Sequence, residues 1–346
     1  MPVLLVLDPT SERPLLRWLG SVTARQLREL LEGAERTMRG RKTDPLAAAL
    51  AAADQLSGLG RSAEAAPAYR ALLSRAPSGW PPRPRVEESL AMALQDAGEL
   101  RSCAEESARA AAAMPPGHSR ADLVGTGLAC ATSADGSAPW RPGALSRLEP
   151  LAEDELARGG DDLADDRSGL FELLVDAREA RADAAGAKRT AARWLAFLDA
   201  EALRAESPRA RAALDEQRML AAIAAGDPER ARPALEASER ELPGDFEPPS
   251  RLATLDRELG RYGESIAASD RALALAHGPR RVRLLRERAE TRQRMGDRAG
   301  ARADLESALG FARTLPPSER PSRDIGLAER SLADLAAATP RRPAGR

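Results

Sequence analysis

Glycine returns at a nearly constant interval along most of this 346-residue chain. Gly226, Gly260 and Gly296 are spaced by 34 and 36 residues. Around them Leu and Ala recur every three or four positions in stretches rich in helix formers. Gly60, Gly98 and Gly186 lie in the same setting, and Gly136, inside Ser133-Ala134-Asp135-Gly136-Ser137, is a weaker member. The neighbouring residues repeat with the glycines. Ala53, Ala91, Ala253 and Ala289 lie seven positions before the turn. Ala65, Cys103, Ala191, Ala231, Ser265 and Ala301 lie five after it, and Leu72, Ala110, Leu198, Ser238, Ala272 and Ala308 twelve after it. A period of this length with small residues at fixed places describes antiparallel helices that approach closely, each pair joined by a turn whose glycine takes φ > 0.

The pattern resembles the tetratricopeptide repeat family. Leu259-Gly260-Arg261-Tyr262 with Ser265, Ala272 and Pro279-Arg280 carries the resemblance, as does Gly60-Arg61-Ser62-Ala63-Glu64-Ala65 with Tyr69 and Pro77. It implies a mainly α, helix-turn-helix superhelix over residues 45–338. The helix pairs would run 45–77, 83–114, 119–158, 164–204, 208–241, 246–278 and 280–314, and a capping helix 319–338. Residues 339–346 read as a disordered tail. The pattern is most degenerate over 119–204, and most of the family's aromatic positions hold Ala or Leu, in keeping with 3% aromatics against 43% hydrophobic residues.

Residues 1–40 differ. Val3 to Leu7 reads as a strand bounded by Asp8-Pro9, 15–20 as a second strand, and 23–32 as an amphipathic helix capped by Thr23. This segment resembles the C-terminal portion of a thioredoxin fold, with Pro2 before the strand, a strand ending at Gly20, and Ser21-Val22-Thr23 leading into the last helix. The resemblance implies a cis Pro2 that would face redox cysteines belonging to a part missing from this chain. Its functional alternative is an N-terminally truncated thioredoxin-like protein whose redox or chaperone half is absent.

Composition narrows the chemistry. His118 and His277 are the only histidines, Cys103 and Cys130 the only cysteines, and no CxxC or HExxH occurs, so a zinc site lacks ligands. No phosphate-binding loop and no nucleophile motif is present, and the expectation is a non-enzyme without cofactor or metal. Both cysteines are expected to pack as small buried hydrophobes rather than to build a disulfide framework. Net charge is -1, from 52 basic and 53 acidic residues, which removes the overall basic signature of nucleic-acid binding. No apolar run reaches the ~20 residues of a membrane span, and the first residues lack the features of a signal peptide. The expectation is a cytoplasmic chain without nucleic-acid or membrane partners. Asn is absent and Lys occurs only at Lys42 and Lys188, a composition of the kind GC-rich bacterial genomes encode.

Two charge runs stand out. Glu149, Glu153, Asp154, Glu155, Asp161, Asp162, Asp165 and Asp166 read as a solvated loop with acids at a helix N-terminus. Arg280, Arg281, Arg283, Arg286, Arg288, Arg292, Arg294 and Arg298 read as a salt-laced helix face, with Arg283–Glu287 and Arg286–Glu290 as i,i+4 pairs. The resemblance further implies a concave wall formed by the first helix of each pair. It would carry Glu88, Met92, Gln95, Asp176, Asp183, Glu216, Gln217, Arg251, Arg257, Arg286, Glu290 and Gln293, acidic early and basic late. A protein or peptide is the expected partner. Recognition of a terminal carboxylate by Lys and Asn is not expected, since these helices contain neither.

Overall fold

The computed structural model describes residues 3–10, 14–19, 24, 27–28, 31–32, 34–35, 45–158 and 164–337. Pro2, Asp161, Asp162 and the expected tail at 339–346 lie outside the described residues. Strands β1 (Val3–Leu7) and β2 (Pro14–Leu19) form an antiparallel hairpin, its register irregular between Val6 and Leu7, where the partner is Pro14. Residues 24, 27–28, 31–32 and 34–35 are helical. A two-stranded hairpin is marginal alone; β2 packs on helix α1 (Pro45–Gly58).

From α1 onward the fold is mainly α, of tetratricopeptide-like helix pairs. The chain forms two compact units, residues 1–190 and 191–346, and the division falls inside one helix, α8. The first unit holds α1 with α2 (Ser62–Arg75), α3 (Arg83–Asp96) with α4 (Leu100–Ala113), α5 (His118–Ser133) with α6 (Arg141–Ala157), and α7 (Ala164–Ala180) followed by the start of α8 (Ala184–Arg204). The second holds the rest of α8, then α9 (Pro208–Ala212), α10 (Asp215–Ala225), and α11 (Arg232–Glu241) after a short 3-10 turn. Next come α12 (Glu247–Glu258) with α13 (Tyr262–Leu275), α14 (Pro279–Met295) with α15 (Arg298–Thr314), and α16 (Ser322–Ala337). These helices lie within one residue of the spans that glycine spacing predicts. The first helix of the 208–241 pair is broken into α9 and α10.

The small-residue positions are all interior. Ala53, Ala91, Ala253 and Ala289 are buried, as are Ala65, Cys103, Ala191, Ala231, Ser265 and Ala301, and the set twelve residues after each turn. Gly60, Gly98, Gly226, Gly260 and Gly296 have φ between 71° and 87°. Behind the turn a backbone N–H reaches back to close the helix end, for example from Arg261 to Asp256 O at 2.8 Å and from Asp297 to Arg292 O at 2.8 Å.

The turn between α7 and α8 departs from the expectation. Gly186 is not its turn residue. The left-handed position is Ala182, φ 60°, and Asp183 N–H makes the closing bond to Arg178 O at 2.9 Å. Gly186 serves the next helix. Its N–H donates to Asp183 Oδ1 at 2.9 Å, and a Cβ there would collide with that carboxylate. The shift from Gly186 to Ala182 is four residues, about one helical turn. It therefore keeps the same face inward, and Ala187, Ala191, Trp194 and Leu198 are all buried.

Helix α5 is the most enclosed in the first unit, with buried residues on all sides from Arg120 to Ala131. It packs against α3, α4, α6 and α7. Gly127 makes this possible: an added Cβ would lie 2.8 Å from Ser107 Cβ on α4 and 3.0 Å from Leu148 on α6. At the same seam Cys103 and Cys130 are fully buried, as expected, but they are bonded to each other. Sequence spacing offers no reason to pair them; facing positions on α4 and α5 do.

Candidate partner-binding walls

In the first unit, α3 lies beside α5 and α5 beside α7, so first helices of successive pairs are neighbours. Glu88, Met92 and Gln95 sit on α3, all partly exposed. Glu88 has the most unusual setting. Its Oε1 is shut off from solvent and has no hydrogen-bond partner among the described residues. Burial, then the charge of Asp122 on α5, push its carboxyl up to about 8, opposed by a hydrogen bond from Ser119 and by Arg85. Asp122 in turn lies 3.3 Å from His118 Nε2. Next to this cluster Asp54 on α1 accepts from Tyr69 Oη at 2.8 Å and from Arg85 at 2.6 Å. Burial and the Asp54 charge together hold the Tyr69 hydroxyl far above its ordinary range.

Asp176 is exposed on α7, its carboxyl raised by partial burial and by Glu179. Asp183 lies in the turn after α7 rather than on a first helix, because its carboxylate caps α8. Of the acidic run, Asp165 and Asp166 lie in the first turn of α7 as expected, but the earlier acids are not in a solvated loop. Glu149, Glu153, Asp154 and Glu155 belong to the C-terminal half of α6. Buried Arg120 from α5 bonds both Asp154 and Glu155, and Arg178 of α7 and Arg181 in the turn after it reach Glu153 and Glu149. A buried guanidinium requires counter-charge, and α6 supplies it.

In the second unit, Glu216 is exposed and Gln217 partly buried on α10. Arg251 on α12 donates to Ala212 O at 2.9 Å, and Glu247 lies 3.9 Å from it. Arg257 lies 3.5 Å from Glu258 and 3.6 Å from Glu290 of α14. Arg286 donates to Asp324 of α16 at 3.0 Å and to Glu287 at 3.3 Å. Gln293 lines a cleft of about 340 Å³ with Gly296, Arg298, Ser331, Asp334 and Leu335. Burial raises the Glu287 carboxyl, with Arg283, Arg286 and Arg257 opposing.

The expected basic end is thus largely neutralised by its neighbours. Neither i,i+4 pair expected on α14 is among the bonds that hold it. Arg283 donates instead to Glu247 of α12 at 3.3 Å, and Arg294 to Glu258 at 3.0 Å and Glu290 at 3.1 Å. Arg283 and Arg294 each reach an acid of α12, while Arg294 also keeps an i,i+4 pair with Glu290 and Arg288 turns to acids of the second helices α13 and α15. The sequence carried a sign of this. Glu247 and Arg283, and likewise Glu258 and Arg294, are 36 residues apart, one repeat, so opposite charges at the repeat interval mark the seam. Asp304 on α15, missed from sequence, is the most enclosed of these acids, held by Arg288 at 2.5 Å and 2.9 Å and by Arg292 at 3.3 Å.

Among the described residues no helix is long and apolar enough to cross a membrane. No family model and no curated protein matches the chain. Several solved structures resemble it. A tetratricopeptide repeat protein from Parabacteroides merdae is 11% identical, covering 82% of this chain and 98% of its own, with a TM-score of 0.49. A thermophilic TPR protein of Thermus thermophilus is 16% identical over 73% of this chain and 99% of its own, TM-score 0.34. The TPR2AB-domain:pHSP90 complex of yeast Sti1 is 16% identical over 84% and 97%, TM-score 0.31. With these scores below 0.5, the fold assignment rests on the helix pairs and their left-handed turns. Nothing in the comparisons supports the thioredoxin-like reading of the first 40 residues.

Proposed function

We propose that the chain is a non-enzymatic interaction scaffold that binds a protein or peptide along the first helices of its pairs. The observation that carries this is the row of charged side chains linking one first helix to the next. In the second unit it runs Glu247–Arg283, Arg257–Glu290 and Arg286–Asp324 across α12, α14 and α16. In the first unit Arg85, Glu88, Ser119 and Asp122 lie together where α3 meets α5. Repeat arrays use such walls as extended binding surfaces, although fold alone does not assign a partner. The partly exposed Met92, Gln95, Gln217 and Gln293 and the exposed Glu216 offer apolar and hydrogen-bonding contacts beside the charges.

A photo-crosslinking amino acid at Gln95 or Glu216 tests the reading, compared with one at Arg109 or Arg302 on second helices. Partner adducts from the first pair of sites and not the second are expected. Equal labelling from both pairs, or none from the first, overturns the proposal. Arg257→Gln and Arg286→Gln, checked for retained helicity by circular dichroism, should weaken capture of the crosslinked partner.

A further inference from the structure

Cys103 and Cys130 join helices of different pairs. Cys103 is on α4, the second helix of one pair, and Cys130 is on α5, the first helix of the next. Their Cα atoms are 6.2 Å apart, inside the range that a disulfide spans without backbone movement. The neighbourhood is built for close approach, with Gly127 opposite Ser107 and with Ala104, Ala108 and Ala131 all buried around the bond. Both cysteines have no exposed surface. Small apolar side chains alone would fill this seam; two cysteines facing each other add a covalent tie that fixes one pair against the next.

We propose that Cys103 and Cys130 are bonded in the working protein, and that the chain folds where thiol–disulfide exchange runs to the oxidised side. The bond forms when the two thiols give two electrons and two protons to a disulfide donor, protein or small molecule, which leaves as two thiols. Exchange passes through a mixed disulfide on one cysteine and needs access to its sulfur. It therefore precedes closure of α4 on α5, after which neither sulfur can be reached. Disulfides of this kind are rare in a reducing cytoplasm, so the bond and the cytoplasmic expectation pull in opposite directions. The proposal sides with the bond. The tie joins residues 27 apart in sequence and restrains the open chain, so its loss lowers the unfolding temperature of the first unit.

Two measurements decide it. Cells that make the protein are lysed directly into denaturant with excess iodoacetamide, and the intact chain is weighed. A mass without carbamidomethyl adducts, and a digest containing the Cys103 and Cys130 peptides linked, is expected. Two adducts per chain overturn the proposal. The purified full chain is then melted before and after reduction in denaturant and refolding under reductant. The reduced form should melt about 5–10 °C lower, and Cys103→Ala/Cys130→Ala should follow it. Equal melting of the reduced and oxidised forms of the same sequence overturns the role of the tie, whether or not the double variant folds.

Discussion

Helices α3 and α15 each carry a carboxylate enclosed between helices, one in either unit, and the two have opposite surroundings. Asp304 on α15 takes N–H groups from Arg288 and lies against Arg292. Glu88 on α3 faces Asp122 as well as Ser119 and Arg85, and among the described residues its Oε1 meets no donor. The seams nearby differ in the same sense. α14 and α15 are tied by ions, whereas α4 and α5 meet through Ser107, Gly127, alanines and a disulfide. A single repeat pattern therefore tolerates two ways of fastening helices. Where charge does the fastening, acids are matched by arginines. Where close approach does it, an enclosed acid such as Glu88 has Arg85 and Ser119 beside it, and burial still raises its carboxyl.

The largest effect is expected from Asp304→Ala. Removing the acid leaves Arg288 and Arg292 half-enclosed without their shared partner, at a cost of about 2–4 kcal/mol in urea denaturation. A loss under about 1 kcal/mol, the worth of a surface pair, would erase the distinction between the seams. Gly127→Ala tests the other seam. Its methyl has nowhere to go against Ser107 and Leu148, and a loss of about 1–3 kcal/mol is expected; a neutral result in the same assay would show that α5 can back away from its neighbours.

Glu88→Gln sharpens the contrast through pH. The folded carboxyl titrates near 8 against an ordinary 4.5. Below 4.5 both folded and unfolded forms hold the proton, so the variant and the parent should match. Between 4.5 and 8 the unfolded form releases its proton and the folded form keeps it, so the parent loses stability as pH rises. The variant should gain about 1–3 kcal/mol on the parent by about pH 8, read from chemical denaturation at about pH 4 and pH 8. A constant difference across that range would mean that Glu88 is ionised in the fold. The smallest effect belongs to the turns. Ala182→Gly should stabilise by about 1 kcal/mol, since alanine sits there in the left-handed region, and Gly260→Ala should cost a similar amount. If both substitutions destabilise, Ala182 is held by contacts that outweigh its backbone strain.

How much of this was legible in the sequence follows from what repeats. Helix pairs could be placed because glycine is nearly indispensable at Gly60, Gly98, Gly226, Gly260 and Gly296, where φ is positive. The turn after α7 misled because alanine can be forced into the same conformation, leaving Gly186 as the only visible glycine. Asp183 three residues before Gly186 repeats Asp297 before Gly300, in each case a capping carboxylate over a residue without Cβ. That shared spacing marks a helix start rather than a turn. The helices that carry the expected wall residues, α3, α12 and α14, could be placed from the glycine spacing, but the side-chain pairings could not, since arginine is long enough to choose among several acids. The cysteine pairing was hidden for a different reason. Position five after the turn takes any small residue, and only the register between α4 and α5 shows what Cys103 faces.

The bridges one repeat apart also make the modules non-interchangeable. Glu247 meets Arg283 and Glu258 meets Arg294 across an interval of 36 residues. Copying the α14–α15 pair in tandem would set a second Arg283 against the first, where Glu247 now stands, and a second Arg294 against Arg294. A tandem copy would meet like charge at both places unless it also exchanged its charges. The sign of a few side chains thus favours one order of modules along this chain, in the way a keyed connector accepts its neighbour more readily than a duplicate of itself.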